Sequence, residues 1–193
     1  MLLFDLDETL IHVKRDTGQL KNDAFEPEVS LPVFDPESGL YIKTLFSVRP
    51  YARKCLEFAN KYFEVGIFTA GNSWFADPII SYLDPKGTLI QHRYFRQHTS
   101  LLGSGDTEEG SFLAKDLTIL KGEVSLDDIL IIDNNIYSFA FNLENGIPVN
   151  DYLGNKNDKA LLQVMNYLNY IKDFENLRVE NEKVYELKMI FDT

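Results

Sequence analysis

The sequence of 193 residues has little cysteine, with Cys55 as its single example. One cysteine cannot form an internal disulfide, so we expect a reducing compartment, cytoplasmic or nuclear. No apolar run approaches the roughly 20 residues that a helix needs to cross a bilayer, which predicts no membrane segment in this chain. The start of the chain lacks the pattern of a secretory signal. Cys55 lies on an apolar helical stripe, so we interpret it as a core residue.

Positive charge and histidine are also scarce. The chain has 19 Lys and Arg against 30 Asp and Glu, a formal net charge of −11. This balance repels a phosphate backbone, so we predict no direct binding of nucleic acid and a mild preference for basic partners. The three histidines lack the spacing of a metal site, which favours structural or surface roles for them.

Hydrophobic residues make up 45% of the chain, enough for one sizeable core, and we predict a single domain over residues 1–193. Three apolar runs end in polar residues, as buried parallel strands do at their carboxyl ends: residues 1–4, 63–68 and 129–132. Helical patterns lie between and after them: residues 50–63, 73–83, 161–171 and, more weakly, 181–190. The alternation predicts a doubly wound α/β fold whose site lies at the carboxyl ends of the strands.

Two stretches interrupt this alternation. Residues 29–34 and 40–48 are rich in β-forming residues and flank the turn-forming sequence DPESG, which predicts a β-hairpin insertion at about residues 28–48. Residues 102–110 are acidic and rich in glycine, which predicts a surface loop.

Two carboxylates, Asp5 and Asp7, follow the first predicted strand with one residue between them. The chain bends where it leaves a sheet, so both can face one ligand. Such a pair can supply a nucleophile and a proton shuttle, and it attracts Mg²⁺, which accepts a site with few protein oxygens. The alternative interpretation is a solvated acidic turn that only caps a helix.

Residues 4–12, with the sequence FDLDETLIH, contain a DxDxT motif that resembles the first motif of the small carboxy-terminal-domain phosphatases. This family is a branch of the haloacid dehalogenase superfamily. Further matches follow in the family's order: RP at 49–50, IFTA at 67–70, ADP at 76–78, KDL at 115–117, IDN at 132–134 and IPV at 147–149. The resemblance implies a Rossmann-like haloacid dehalogenase fold, with a central, mainly parallel sheet flanked by helices.

The resemblance also implies a reaction and the residues that perform it. Asp5 matches a nucleophile that forms an aspartyl-phosphate, and Asp7 matches the general acid and base. Thr69 matches a hydroxyl that bonds a phosphate oxygen. Lys115 matches an ammonium that neutralises charge between the nucleophile and the phosphoryl group.

The remaining matches concern the substrate phosphate, the cofactor and structural support. Arg96 lies where family members place an arginine on the substrate phosphate. Asp133 would hold Lys115 in place, and Thr9 would support the site. The implied cofactor is Mg²⁺, and its implied protein ligands are Asp5, the backbone carbonyl of Asp7 and the side chain of Asn134.

The intervals between the motifs hold too few residues for a large cap domain, so we expect an open site. An open site accommodates a phosphorylated side chain on an extended segment, which predicts a protein serine/threonine phosphatase. RNA polymerase II tail repeats are one candidate substrate, and one hypothesis is that the acidic residues 106–109 select basic residues beside the phosphosite. Trp74 is either a packing residue or part of the border of the substrate groove.

Two alternatives remain open at this point. One is a capless phosphatase of the same superfamily that acts on small-molecule phosphate esters. The other is a noncatalytic binding module of the same fold, against which the presence of both Asp5 and Asp7 argues.

Overall fold

The structure is a computed structural model that describes residues 1–14, 26–103, 111–120, 122 and 124–191. The strands in this part of the chain are, in order, β1 (Leu2–Phe4), β2 (Ile11–Val13), β3 (Val29–Asp35), β4 (Leu40–Val48), β5 (Val65–Phe68), β6 (His92–Tyr94), β7 (Ser100–Leu102), β8 (Phe112–Ala114), β9 (Leu130–Asp133) and β10 (Gly146–Pro148). The α-helices are α1 (Ala52–Ala59), α2 (Ser73–Leu83), α3 (Ala160–Ile171), α4 (Leu177–Tyr185) and α5 (Lys188–Phe191).

The central sheet has the strand order β10-β9-β1-β5-β6, and all of its pairings are parallel. The predicted α/β fold with a parallel sheet is therefore confirmed. Strand β1 lies in the middle, with Leu2 opposite Val65 on one side and Leu130 on the other. The carboxyl ends of β1, β5 and β9 meet at one edge, where a doubly wound sheet places its ligand site.

Both faces of this sheet are buried, which explains the uninterrupted apolar runs. Leu2 and Phe4 belong to the larger of two core clusters, whereas Leu3 between them belongs to the smaller one. Helices α1 and α3 cover the first face. Cys55 lies there fully buried, as predicted, and burial raises the pKa of its thiol to about 12, so it is inert as a nucleophile.

The second face is covered largely by 3₁₀ segments, which the sequence pattern did not predict. Leu117 and Leu120 come from the segment Leu117–Leu120, and Phe139 comes from the segment Ile136–Asn145. A 3₁₀ segment does not place apolar residues at the 3.6-residue spacing of an α-helix, so it leaves no helical signature in the sequence.

The predicted hairpin is present. Strands β3 and β4 pair antiparallel from Val29↔Phe46 to Asp35↔Leu40, and β2 adds a third strand in the order β2-β4-β3. At the turn, the Asp35 carboxylate accepts the backbone N–H of Glu37 at 2.9 Å, and Gly39 adopts a φ of 70°. These are the residue types that such a turn requires.

The predicted helix over residues 181–190 has the wrong bounds. In the structure α4 begins at Leu177, because the Asn176 side chain caps it by accepting the backbone N–H of Val179 at 2.9 Å. Helix α4 ends at Tyr185, because the next residue, Glu186, has a left-handed φ of 48°, and α5 follows as a separate turn.

No cap domain is present among the described residues, in agreement with the expectation of an open site. Between Thr69 and Lys115 the described chain forms α2, β6, a 3₁₀ turn and the antiparallel pair β7 and β8. Residues 104–110 of the predicted acidic loop lie outside the described residues, so its predicted role stays a prediction. No helix in the described part of the chain is long and apolar enough to cross a membrane.

Candidate active site

Two carboxylates stand side by side at the carboxyl edge of the sheet. Phe4 of β1 is the register partner of Ile132 of β9, so the next residues, Asp5 and Asp133, lie next to each other. The backbone N–H of Asp5 donates to the carbonyl of Ile132 at 2.8 Å, which continues the ladder by one residue. The register of β1 and β9 therefore determines where the Asp5 and Asp133 side chains leave the edge of the sheet.

Lys115 lies between these two carboxylates. Its Nζ is 2.5 Å from Asp5 Oδ1 and 2.5 Å from Asp133 Oδ2, and the residue is only 1% exposed. The residue follows β8, and its backbone N–H donates to the carbonyl of Ser138 at 2.5 Å. The structure thus brings together three of the predicted site residues in a buried carboxylate–ammonium–carboxylate arrangement.

The ionisation of this group follows from burial and from its neighbours. Burial raises the pKa of Asp5 to about 8; Asp133 and Asp7 act in the same direction, and Lys115 opposes them. Burial alone would lower the pKa of Lys115, but the carboxylates of Asp133 and Asp5 outweigh it and raise that pKa. Lys115 therefore stays protonated, and further positive charge at Asp5 would favour the anion that a nucleophile requires.

Asp7 lies nearer to the surface than Asp5. The chain turns sharply after Asp7, where Glu8 adopts a left-handed φ of 56°, and this turn leaves the Asp7 side chain partly exposed. Thr69 Oγ1 donates to Asp7 Oδ2 at 3.4 Å and accepts the backbone N–H of Gly71 at 2.9 Å. A buried Asp5 and a partly exposed Asp7 suit a nucleophile and a proton shuttle that exchanges with water.

Thr9 and Asn134 connect the loops that follow β1 and β9. The Thr9 hydroxyl donates to Asn134 Oδ1 at 3.1 Å and accepts the Asn134 backbone N–H at 3.2 Å. The other end of the amide, Nδ2, donates to Asp151 Oδ1 at 2.9 Å. Thr9 and Asp151 together orient the Asn134 amide so that its oxygen faces the loop after β1, which carries Asp5, and its nitrogen faces Asp151. Sequence reasoning missed Asp151, which follows the IPV motif at residues 147–149 by two positions.

The predicted metal ligands fit a magnesium ion by donor type. The Asp5 carboxylate, the Asn134 amide oxygen and the backbone carbonyl of Asp7 are hard oxygen donors, which Mg²⁺ prefers together with waters and substrate phosphate. Among the residues that the structure describes, no group of three or more His, Cys, Asp and Glu side chains is placed to hold a metal. The oxygen donors of Asp5, Asp7 and Asn134 suit Mg²⁺ better than a transition metal, which favours nitrogen and sulfur ligands.

A cavity of about 320 Å³ opens beside Asp7, and we call it the Asp7 cavity. It is lined by Asp7, Arg96, Trp74, Phe75 and residues 70–72. Arg96 is tied to its rim, because its Nε donates to the Ala70 carbonyl at 2.9 Å and its backbone N–H donates to the Gly71 carbonyl at 2.9 Å. Helix α2 begins at Ser73 beside this cavity, so its N-terminal partial charge adds to that of Arg96 and favours an anion.

A larger cavity of about 550 Å³ is lined by Thr118, Leu126 and Arg178, among others, and contains none of the predicted site residues. Size alone therefore does not identify the site. The convergence of Asp7, Arg96 and the N-terminus of α2 makes the Asp7 cavity the candidate active site.

The family model of NLI interacting factor-like phosphatases matches residues 1–178. The chain belongs to this family.

Individual relatives agree with the assignment to the NLI interacting factor-like phosphatases. CTD small phosphatase-like protein 3 of Caenorhabditis elegans is 35% identical over 170 residues, which cover 88% of this chain and 53% of that protein. Nuclear envelope morphology protein 1 of Schizosaccharomyces pombe is 34% identical over 180 residues, which cover 91% of this chain and 34% of that protein. The chain spans about a third to a half of the length of these relatives.

A solved structure shows the same fold. The fission yeast RNA polymerase II CTD phosphatase Fcp1 aligns with a TM-score of 0.59 at 19% identity, over 99% of this chain and 55% of that chain. The predicted small carboxy-terminal-domain phosphatase family is thus confirmed. The fold agrees with that of Fcp1, and the residues that the structure describes include no cap domain.

Arg49, which sequence analysis identified only as part of a motif, proves to be the buried anchor of this phosphatase-family site. Its guanidinium donates to the carbonyls of Thr9 at 3.1 Å and Asn150 at 2.8 Å. It also pairs with Asp158 through two nitrogens, at 2.8 and 2.9 Å. Arg49 therefore joins the loop of the DxDxT motif to the segment that carries Asp151.

Replacing Arg49 with Met is expected to lower the free energy of unfolding by about 3–5 kcal/mol, because it leaves Asp158, the buried Thr9 carbonyl and the partly buried Asn150 carbonyl without their partner. Urea unfolding followed by circular dichroism measures the change. The matched control is Arg53→Met on α1, whose side chain is 54% exposed and pairs with Glu57; we expect a change below about 1 kcal/mol there. Equal effects of the two substitutions would contradict the anchoring role of Arg49.

Proposed function

We propose that this NLI interacting factor-like phosphatase is a Mg²⁺-dependent phosphoprotein phosphatase that cleaves phosphoserine or phosphothreonine through an aspartyl-phosphate on Asp5. The observation that carries the proposal is the position of Lys115, 2.5 Å from both Asp5 and Asp133. Asp7, two residues after Asp5, lines the Asp7 cavity together with Arg96. This arrangement combines a nucleophile, a proton donor and fixed positive charge at one edge of the sheet.

In the first step the Asp5 carboxylate attacks phosphorus, and the bond from phosphorus to the substrate oxygen breaks. Asp7 gives its proton to that leaving oxygen, so the side chain departs as an alcohol. In the second step Asp7 takes a proton from the water that attacks the same phosphorus. The bond to Asp5 breaks, inorganic phosphate leaves, and Asp5 returns as a carboxylate.

The chief obstacle to the first step is repulsion between the carboxylate and the phosphate dianion. Lys115 lowers it from inside the site, while Arg96 and the N-terminus of α2 lower it from the cavity side. Bound Mg²⁺ supplies further positive charge, and Asp5, Asn134 and the Asp7 backbone carbonyl would hold it.

The proposed substrate is a phosphorylated side chain on an extended protein segment. The cavity at Asp7 opens to the surface, and the described residues include no cap domain that would enclose a small molecule. Relatives named for RNA polymerase II tail phosphatase activity and for the nuclear envelope make the polymerase tail one candidate substrate and the nucleus the proposed location.

Phosphate release from a phosphoserine and phosphothreonine peptide library tests this proposal, beside a panel of sugar phosphates and a generic aryl phosphate. We expect peptide turnover that EDTA lowers at least about a hundredfold and that added Mg²⁺, but not Ca²⁺, restores, because the donor set suits the smaller ion. Turnover of sugar phosphates with negligible action on peptides would refute the protein substrate. EDTA-resistant turnover would refute the metal requirement.

A further inference from the structure

Residues 150–152 connect the two loops that carry the predicted metal ligands. The backbone N–H of Tyr152 donates to the carbonyl of Glu8 at 2.7 Å, in the DxDxT loop after β1. The carboxylate of Asp151 accepts Nδ2 of Asn134 at 2.9 Å, in the loop after β9. This segment therefore contacts both loops, although none of its own residues is a predicted ligand.

The backbone on both sides of Asp151 is held in place. The carbonyl of Asn150 accepts the guanidinium of the buried Arg49 at 2.8 Å. The hydroxyl of Tyr152 donates to the last carbonyl of β4 at 3.1 Å, and the Arg49 guanidinium lies 5.5 Å from the centre of the Tyr152 ring. Asp151 is itself exposed, but its two chain neighbours are anchored, so its carboxylate meets Asn134 from a fixed backbone.

Only one end of the Asn134 amide can bind a cation, because its oxygen accepts and its nitrogen only donates. The Thr9 hydroxyl donates to Oδ1 at 3.1 Å, but a hydroxyl can also accept, so Thr9 by itself tolerates either orientation of the amide. An ionised carboxylate has acceptors only. Asp151 therefore admits only the orientation in which the amide nitrogen faces it and the oxygen faces the loop after β1.

We infer that Asp151 is a positioning residue for Mg²⁺, which holds the oxygen of the Asn134 amide towards the cation and increases the partial negative charge on that oxygen. This inference rests on the proposed Mg²⁺ site of Asp5, Asp7 and Asn134. Loss of a hydrogen bond that orients a metal ligand typically lowers metal affinity by about 10–100-fold. Because water competes for the exposed Asp151 carboxylate, we expect the low end of that range.

Binding of Mn²⁺, followed by electron paramagnetic resonance, tests the inference without turnover, because Mn²⁺ accepts the same oxygen donors as Mg²⁺ and Mg²⁺ can displace it. The bound Mn²⁺ that Asn134→Ala loses defines the site. Asp151→Ala should weaken binding of both ions there by about tenfold, because the amide can then turn its nitrogen to the cation. Asp151→Asn keeps an oxygen acceptor for Nδ2 and should stay within about threefold of the wild-type affinity.

The matched control is Glu28→Ala. It removes a carboxylate that pairs at 3.8 Å with Lys156, which follows the same segment, and that makes the site less negative without touching Asn134. Its Mn²⁺ affinity should stay within about twofold of wild type, because the charges of exposed pairs are screened by water.

An Asn134→Asp background separates orientation from charge. A carboxylate presents an oxygen whichever way it turns, so adding Asp151→Ala there should change Mn²⁺ affinity by about twofold or less. A full tenfold loss in that background, or an Asp151→Asn variant as weak as Asp151→Ala, would mean that Asp151 acts only through its charge. Either result would overturn the positioning role.

Phosphopeptide turnover separates this inference from the proposed function. The Mg²⁺ concentration for half-maximal turnover should rise about tenfold in Asp151→Ala. Mg²⁺-dependent turnover with equal metal affinity in wild type and Asp151→Ala would overturn the inference and leave the proposed function intact. Metal binding that Asp151→Ala weakens, without turnover of any phosphopeptide by the wild-type chain, would overturn the proposed function and keep the positioning role.

Discussion

Replacing Asp5 with Asn is expected to lower kcat for phosphopeptides by roughly 10⁴-fold or more, because an amide cannot form the acyl phosphate of the proposed mechanism. The substitution preserves the shape of the side chain, and Lys115 keeps its ion pair with Asp133. The fold should therefore persist. Phosphate release at saturating peptide and Mg²⁺, together with thermal unfolding, measures both effects.

The control for the Asp5 experiment is the same chemical change at the surface. Asp173→Asn alters a carboxylate whose side chain is 79% exposed and which pairs with the neighbouring Lys172. It should retain full activity. An Asp5→Asn variant that keeps more than about a tenth of the wild-type kcat would exclude Asp5 as the nucleophile.

Replacing Lys115 with Met is expected to damage both activity and stability. The two carboxylates that it now separates would remain buried without a cation, which costs about 3–5 kcal/mol of unfolding free energy. The kcat should fall by roughly a thousandfold or more, because the transferring phosphoryl group loses its internal positive charge. Lys183→Met, at an ammonium on a side chain that is 65% exposed, is the surface control.

A double variant separates the two roles of Lys115. Lys115→Met combined with Asp133→Asn removes one of the stranded carboxylates, so part of the lost stability should return. The lost activity should not return, since the transferring phosphoryl group still lacks the Lys115 ammonium. Recovery of activity in the double variant would mean that Lys115 serves only to neutralise Asp133, and its assignment as a catalytic residue would be wrong.

The central strands were predictable because they are buried on both faces. Strands β1, β5 and β9 appear in the sequence as apolar runs that end in polar residues. The flanking strands β6, with the sequence HRY, and β10, with the sequence GIP, carry no such run. They lie at the two edges of the sheet, so pairing with a single distant strand defines them, and that pairing cannot be predicted from the local sequence.

The site was predictable to the extent that its residues follow strand ends or lie within motifs. Asp5, Asp133 and Asn134 follow directly from the positions of β1 and β9. The contacts of Arg49 could not be predicted from the sequence, because its partner Asp158 lies 109 residues further along the chain. Asp151 was missed for a related reason: its contact with Asn134 depends on how the segment after β10 returns to the site.

The central position of β1 bears on how the molecule reaches its native state. The strand that leads into Asp5 is the first in the chain, yet it is flanked by β5 and β9, and the contacts of Lys115 with Asp5 and of Thr9 with Asn134 span 110 and 125 residues. Closing loops of this length raises contact order and slows folding. During synthesis Asp5 can meet Lys115 and Asp133 only after β8 and β9 have been made, so we expect the proposed catalytic site to form late in folding.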